Sequence, residues 1–229
     1  MFATVETKLW RTASEVNEAM VRVYNHMLMA IVTSGLVSYL ISSSPDAMVF
    51  FFTGFMKWVV LFAPLAFIFL VPVLLNSGIS RMGKVLTLHA FAGLMGLSMA
   101  SIFVVYTLGS IVSAFLGAGV LFGTMSIYGY FTKQSLDSMG KFMFVGLIAI
   151  IIASVINIFI GSTVMQMVIS ALAIIIFLGL TAYDTQKIRE MVSVDGDTGR
   201  EEVIGALTLY MDFINLFINL LQLFGIKKD

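Results

Sequence analysis

Aspartate 212 is the residue with the most chemistry to explain. It lies inside the run LTLYMDFINLFINLLQLFG, residues 207–225, with apolar residues on both sides for more than a helical turn. On insertion scales a centrally placed Asp costs a membrane helix about 2.5–3.5 kcal/mol, so an acid there must face protein or a wet cavity, not lipid. Asn215 and Asn219 follow at i+3 and i+7, which puts all three polar side chains on one helix face. A second acid, Asp184, closes the preceding apolar run in LGLTAYDTQKIRE. If these two runs are neighbours, as short connections favour, the two carboxyls can meet near the end that Asp184 closes. Two carboxyls in contact cannot both ionise cheaply; they share a proton and titrate as a pair. Such a site switches with pH in the physiological range, and when deprotonated it offers hard oxygen ligands suited to Ca²⁺. The plainer alternative makes Asp184 a solvated helix end and Asp212 a structural hydrogen-bonding group.

The elements that position these groups follow from composition. Of 229 residues, 59% are hydrophobic and 11% charged, with a mean hydropathy of +1.02, where a soluble domain carries about a quarter charged residues. Such a chain must use lipid as its solvent. A span needs roughly 20 apolar residues with few charges, and that rule predicts seven, at about 23–43, 56–75, 85–106, 109–131, 141–160, 164–183 and 203–224, in one integral membrane domain with an N-terminal segment over about 1–22. The fold class is thus all-α and polytopic. The apolar piece 48–56 is expected to lie at the interface, Pro64 and Pro72 to kink the second span, and Asp195-Gly196-Asp197 to break the chain before the last span. An alternative topology has six spans and a re-entrant final segment. The early mixture of Lys8, Arg11 and Arg22 with Glu6, Glu15 and Glu18 does not fit a cleavable signal peptide, so the first span is expected to act as the membrane signal.

Lys8, Arg11, Arg22, Arg81, Lys84, Lys133, Lys141, Lys187, Arg189 and Arg200 fall on one side of a seven-span chain. By the positive-inside tendency that side is the cytoplasm, N-terminus included; Lys227 and Lys228 then lie across the membrane. Ala92, Gly96 and Ala100 in the third span, and Gly119 and Gly123 in the fourth, mark expected close helix contacts.

Other chemistry is weaker. His89 shares a face with Gly93 and Gly96 and is a candidate proton sensor or ion-path residue, more often a hydrogen-bonded packing residue. Ser98 lies nine residues from His89, on the opposite face, which speaks against a serine protease pair. A net charge of zero leaves no basic field for nucleic acid, and the absence of Cys excludes thiolate chemistry. The stretch from Glu190 to Glu202 reads as a solvated acidic loop. No cofactor and no enzymatic activity are expected; Ca²⁺ enters only as a permeant or bound ion.

The stretches TAYDTQKIRE and LTLYMDFINLFINLLQLFG, with SVINIFIG in the fifth span, resemble the Bax inhibitor-1 family, the transmembrane Bax inhibitor motif proteins, and among them the small bacterial members. The resemblance implies a seven-helix bundle with the last helix at its centre. It implies a pH-sensitive calcium leak gated by an aspartate pair corresponding to Asp184 and Asp212, with acid promoting flux. It also implies an arginine from the connection between spans two and three in contact with that pair; Arg81 is the nearest candidate, and Lys84 competes. Other members regulate membrane proteases or cell death, so the alternative is a non-conducting regulator that binds another membrane protein. A bacterial inner membrane is the expected location.

Overall fold

The structure, a computed structural model, describes residues 10–194 and 198–228; Lys8 and the Asp195-Gly196-Asp197 break lie outside them. The described residues form nine helices: α1 (Ala13–Ser42), α2 (Pro45–Phe52), α3 (Met56–Asn76), α4 (Arg81–Met99), α5 (Ser101–Val105), α6 (Leu108–Phe131), α7 (Asp137–Ile160), α8 (Thr163–Val192) and α9 (Thr198–Phe224). With α4 and α5 taken together as one stretch, seven segments are long and apolar enough to cross a membrane. The short α2 is the piece expected at the interface. The last span is one uninterrupted helix, not a re-entrant segment, and α3 carries Pro64 and Pro72 without ending at either.

Several helices outrun the apolar stretches that predict them. α1 starts ten residues before its expected span because Thr12 and Glu15 form a reciprocal capping box. α8 runs on to Val192, nine residues past the expected end, and α9 begins five residues before its own. A hydropathy window registers only the lipid-facing length of a helix, while the charged turns beyond it are held by capping and ion pairs.

The bundle is organised around α9. Of its span, 67% is buried inside the protein, against 11% for α7, and it packs on α8, α1, α6 and α4. Its apolar side carries Leu209, Tyr210, Phe213, Leu216 and Phe217, all buried. Tyr210 meets the ring of Phe91 edge-on at 6.0 Å between centroids, and Phe213 meets Phe122 at 5.9 Å. The outer surface is apolar instead: Phe159, Phe69 and Ile158 are each more than three-quarters exposed. Lipid, not water, is the medium such a surface suits.

Small residues set the closest helix approaches. A methyl group on Gly96 would collide with the Ser34 backbone, and one on Gly129 with the Ala182 carbonyl, so α1 and α4, and α6 and α8, touch backbone to backbone there. Ala92 and Ala100 are fully buried. Gly119 and Gly123 differ from expectation: added Cβ atoms there meet nothing within 4 Å. Among the described residues they make no close helix approach of their own; Gly129, further along α6, is the glycine that meets α8 backbone to backbone.

At the end opposite Asp184, the chain after α9 folds back on the connection between α5 and α6. Thr107 N donates to the Ile226 carbonyl at 3.0 Å and Lys228 N to the Val105 carbonyl at 2.9 Å. Ile226 N donates to Ser110 Oγ at 2.9 Å, and Lys228 Nζ to the Phe103 carbonyl at 2.7 Å.

Candidate functional site

A polar stripe runs along α9: Thr208, Asp212, Asn215, Asn219 and Gln222, spaced by alternate steps of four and three. That spacing keeps them on one face, and all five line a single crevice of 1120 Å³. The opposite wall comes from α8 and includes Asp184, Leu180, Phe177, Ile169 and Gln166; α7 supplies Phe144, Ile150 and Ser154, and α3 supplies Leu65 and Ile68. α3 packs on α4 and α7 on α8, which leaves the crevice between them. Leu65, Phe144 and Ile151 line it and are each more than half exposed, so it opens sideways toward the lipid.

Asp184 on α8 and Asp212 on α9 both line this crevice. Asp212 is 4% exposed, and its Oδ2 has no hydrogen-bond partner among the described residues. A buried acceptor left without a donor is costly. Asn215 donates its Nδ2 to the Met211 carbonyl at 2.8 Å, and Asn219 donates to the Asn215 carbonyl at 2.8 Å. Each of these amides keeps a second N–H and its carbonyl oxygen, so Asp212 and the two Asn form a polar row along the crevice wall.

At its far end the crevice closes on an amide cluster that sequence reasoning missed. Gln166 Nε2 and Ser170 Oγ both donate to Gln222 Oε1, at 2.9 and 3.0 Å. Asn157 Nδ2 reaches Gln166 Oε1 at 3.4 Å, and its Oδ1 accepts from Ser162 N at 3.1 Å. The signal was available: Gln222 continues the step of three and four from Asp212 through Asn219.

Arg81 corrects an expectation. Its Nη2 donates to Glu202 Oε2 at 2.8 Å, while Arg22 Nε donates to Glu202 Oε1 at 2.7 Å. Glu202 is 1% exposed. It precedes Asp212 by ten residues on the same helix, about 15 Å at 1.5 Å per residue, so an arginine bound to Glu202 does not also hold the aspartates. The competing candidate, Lys84, is buried on α4 and is absent from the residues lining the crevice. Glu202 itself is no part of a solvated loop: it ties α1 and α4 to α9.

His89 also lies away from the crevice. Its Nδ1 meets Thr33 Oγ1 at 2.9 Å, so the face it shares with Gly96 is the contact with α1. Ser98 donates to the Val60 carbonyl at 2.6 Å, which leaves it no catalytic partnership with His89. Next to Asp184 in sequence, Thr185 is buried and meets Ser126 Oγ at 3.0 Å; Ser126 in turn meets the Tyr24 hydroxyl. This buried hydroxyl chain joins α8, α6 and α1. Among the described residues no group of three or more His, Asp, Glu or Cys converges on a metal position. The acidic part of the site is therefore these two carboxyls.

An all-helical, seven-span architecture with a buried polar stripe on its central helix defines an integral membrane protein whose chemistry lies within the bundle. Comparison with known proteins narrows that class. The family described as "Inhibitor of apoptosis-promoting Bax1" matches residues 16–229, and the chain belongs to this Bax inhibitor-1 family. A Rickettsia prowazekii protein is 37% identical over 92% of this chain and 90% of its own length. Inner membrane protein YbhL of Escherichia coli is 36% identical over 91% of this chain and 92% of its own. A Streptococcus pyogenes membrane protein is 41% identical over 70% of this chain and 72% of its own.

Proposed function

We propose that this protein is a pH-sensitive calcium leak in a bacterial inner membrane, gated by the protonation of Asp184 and Asp212. The observation that carries the reading is the buried carboxyl of Asp212, one oxygen without a donor, on a crevice that Asp184, Asn215 and Asn219 also line. Family membership supports it.

The pair works as a latch between α8 and α9. With one shared proton the two acids hold together and carry a single negative charge. Loss of that proton sets two negative charges in contact, and gain of a second removes the charge that would attract a cation; either change alters the path. Two carboxylates and a few amide oxygens are fewer hard ligands than the 6–8 of a tight calcium site, which suits an ion in transit. Arg81 has no part in this latch, since Glu202 engages it. The clustering of Arg22, Arg81, Lys141 and Lys187 at the Asp184 end favours placing that end, and the N-terminus, in the cytoplasm.

The test is calcium entry into proteoliposomes containing an internal calcium dye, across a pH series, for wild type, Asp184→Asn and Asp212→Asn. Wild type is expected to show flux that varies with pH, and both Asn variants a flattened response. Unchanged flux and pH response in both variants defeats the gating account. A wild-type protein that passes no calcium at any pH points to the non-conducting regulator.

A further inference from the structure

The two ends of the crevice differ in kind. Its ionisable lining is Lys141, Tyr183, Asp184 and Asp212, none of which reaches the end beneath the α7–α8 turn. That end is built of neutral amides. Gln166 lies in the first turn of α8 and Gln222 in the last turn of α9. Gln222 Oε1 accepts from both Gln166 Nε2 and Ser170 Oγ, at 2.9 and 3.0 Å. Gln166 is held in turn from α7: the buried Asn157 reaches its Oε1 with Nδ2 at 3.4 Å and donates to the Ser162 carbonyl at 3.2 Å. The cluster thus ties the end of α7, the start of α8 and the end of α9 at one point. It also lies in line with Asp212, Asn215 and Asn219, since Gln222 continues their row.

We infer that the Gln166–Gln222 bridge is a second gate, a neutral barrier across the mouth of the crevice farther from Asp184, in series with the aspartates. The inference rests on reading the crevice as an ion path. An ion moving along α9 past Asn219 meets Gln222 less than one turn further on, and finds its oxygen already engaged by two donors. The gate opens when the Gln222 side chain rotates away from Gln166 and Ser170, a change that asks no helix to move. Rotation frees Gln222 Oε1, a neutral oxygen of the kind calcium accepts as a ligand. Neutral oxygens also hold an ion weakly enough to let it leave. Hydrogen bonds between neutral groups are individually of modest net worth, so thermal motion suffices to part them. No ionisable side chain among the described residues lines this end, so the barrier does not follow pH. The acids set the pH response, and the amides set the rate of passage.

The chain holds no cysteine, so Asn219→Cys places a single thiol just behind the bridge. The experiment follows its labelling in the full chain, in right-side-out membrane vesicles with calcium chelated, by a membrane-impermeant methanethiosulfonate added outside. Expected is slow labelling with the bridge intact, and labelling about tenfold faster when Gln222→Ala or Gln166→Ala is added. These two variants break the bridge from opposite sides, so one keeps the test open should the other fail to fold. Thr163→Cys, exposed at the turn, is expected to label at one rate in every background. Equal labelling of Asn219→Cys with and without the bridge overturns the inference. So does a rate that rises equally at Thr163→Cys, because the whole turn has then loosened. In the flux assay Gln222→Ala is expected to raise calcium entry several-fold at every pH and to keep the shape of the pH response, unlike the Asn variants. Labelling involves no calcium, so unchanged labelling leaves the leak standing, and a protein that passes no calcium still shows whether the barrier exists.

Discussion

Two carboxyl groups on α9, ten residues apart and both almost wholly buried, are treated in opposite ways. Glu202 receives one guanidinium on each oxygen, from Arg22 on α1 and Arg81 on α4. Asp212 receives another acid from α8 and keeps one oxygen without a donor. A buried charge with cations on both sides is a fixture: its removal strands its partners. A buried acid with no cation beside it has no such fixture, and interacting acids titrate jointly. Burial alone thus says little about the role of an acid; the charge of its neighbours decides.

The comparison breaks if the two positions respond alike to neutralisation. The largest effect is expected for Glu202→Ala, which breaks both ion pairs at a buried position but leaves arginines that are 38% and 59% exposed to regain solvent, and should destabilise the bundle by about 2 kcal/mol, read as a lowered denaturation midpoint in detergent micelles. Arg22→Ala should cost less, about 1–2 kcal/mol, because its side chain is 38% exposed and Arg81 still serves Glu202. A double-mutant cycle between positions 22 and 202 should show coupling, and the cycle between 81 and 202 a smaller value, since Arg81 is 59% exposed. Ser126→Ala removes the middle of the hydroxyl chain from Tyr24 to Thr185 and should cost about 1 kcal/mol. Smallest of all, Asp212→Asn should change stability by no more than about 0.5 kcal/mol, because an amide keeps the shape of the carboxyl and brings its own N–H donor to a site whose Oδ2 lacks a partner. An Asp212→Asn variant as unstable as Glu202→Ala would show that both acids are fixtures.

Much of this arrangement was legible in the chain. Asp212, Asn215 and Asn219 announced their common face by spacing, and they line one crevice together with Asp184. The central position of the final helix came with the resemblance of its sequence to a known family. What stayed hidden depended on contacts between distant segments. Glu202 sits among Arg200, Glu201 and the acids before them, a composition that reads as a wet loop, whereas the helix already runs through it and two arginines, 180 and 121 residues away, bury it. That same contact redirected Arg81, whose nearness in sequence to the third span gave no hint of its partner. Gly119 and Gly123 misled for the converse reason: a motif shows that a helix can be approached closely, not that anything in the same chain does so.

The folded-back tail after α9 has a mechanical meaning. Glu202 moors the central helix to α1 and α4 at one end, and the hydrogen bonds of Ile226 and Lys228 to the connection between α5 and α6 moor it at the other. A rod tied at both tips does not work as a piston. If the crevice widens, the change falls to the helices beside it, α3 and α7, which pack on α4 and α8 and not on that fixed spindle.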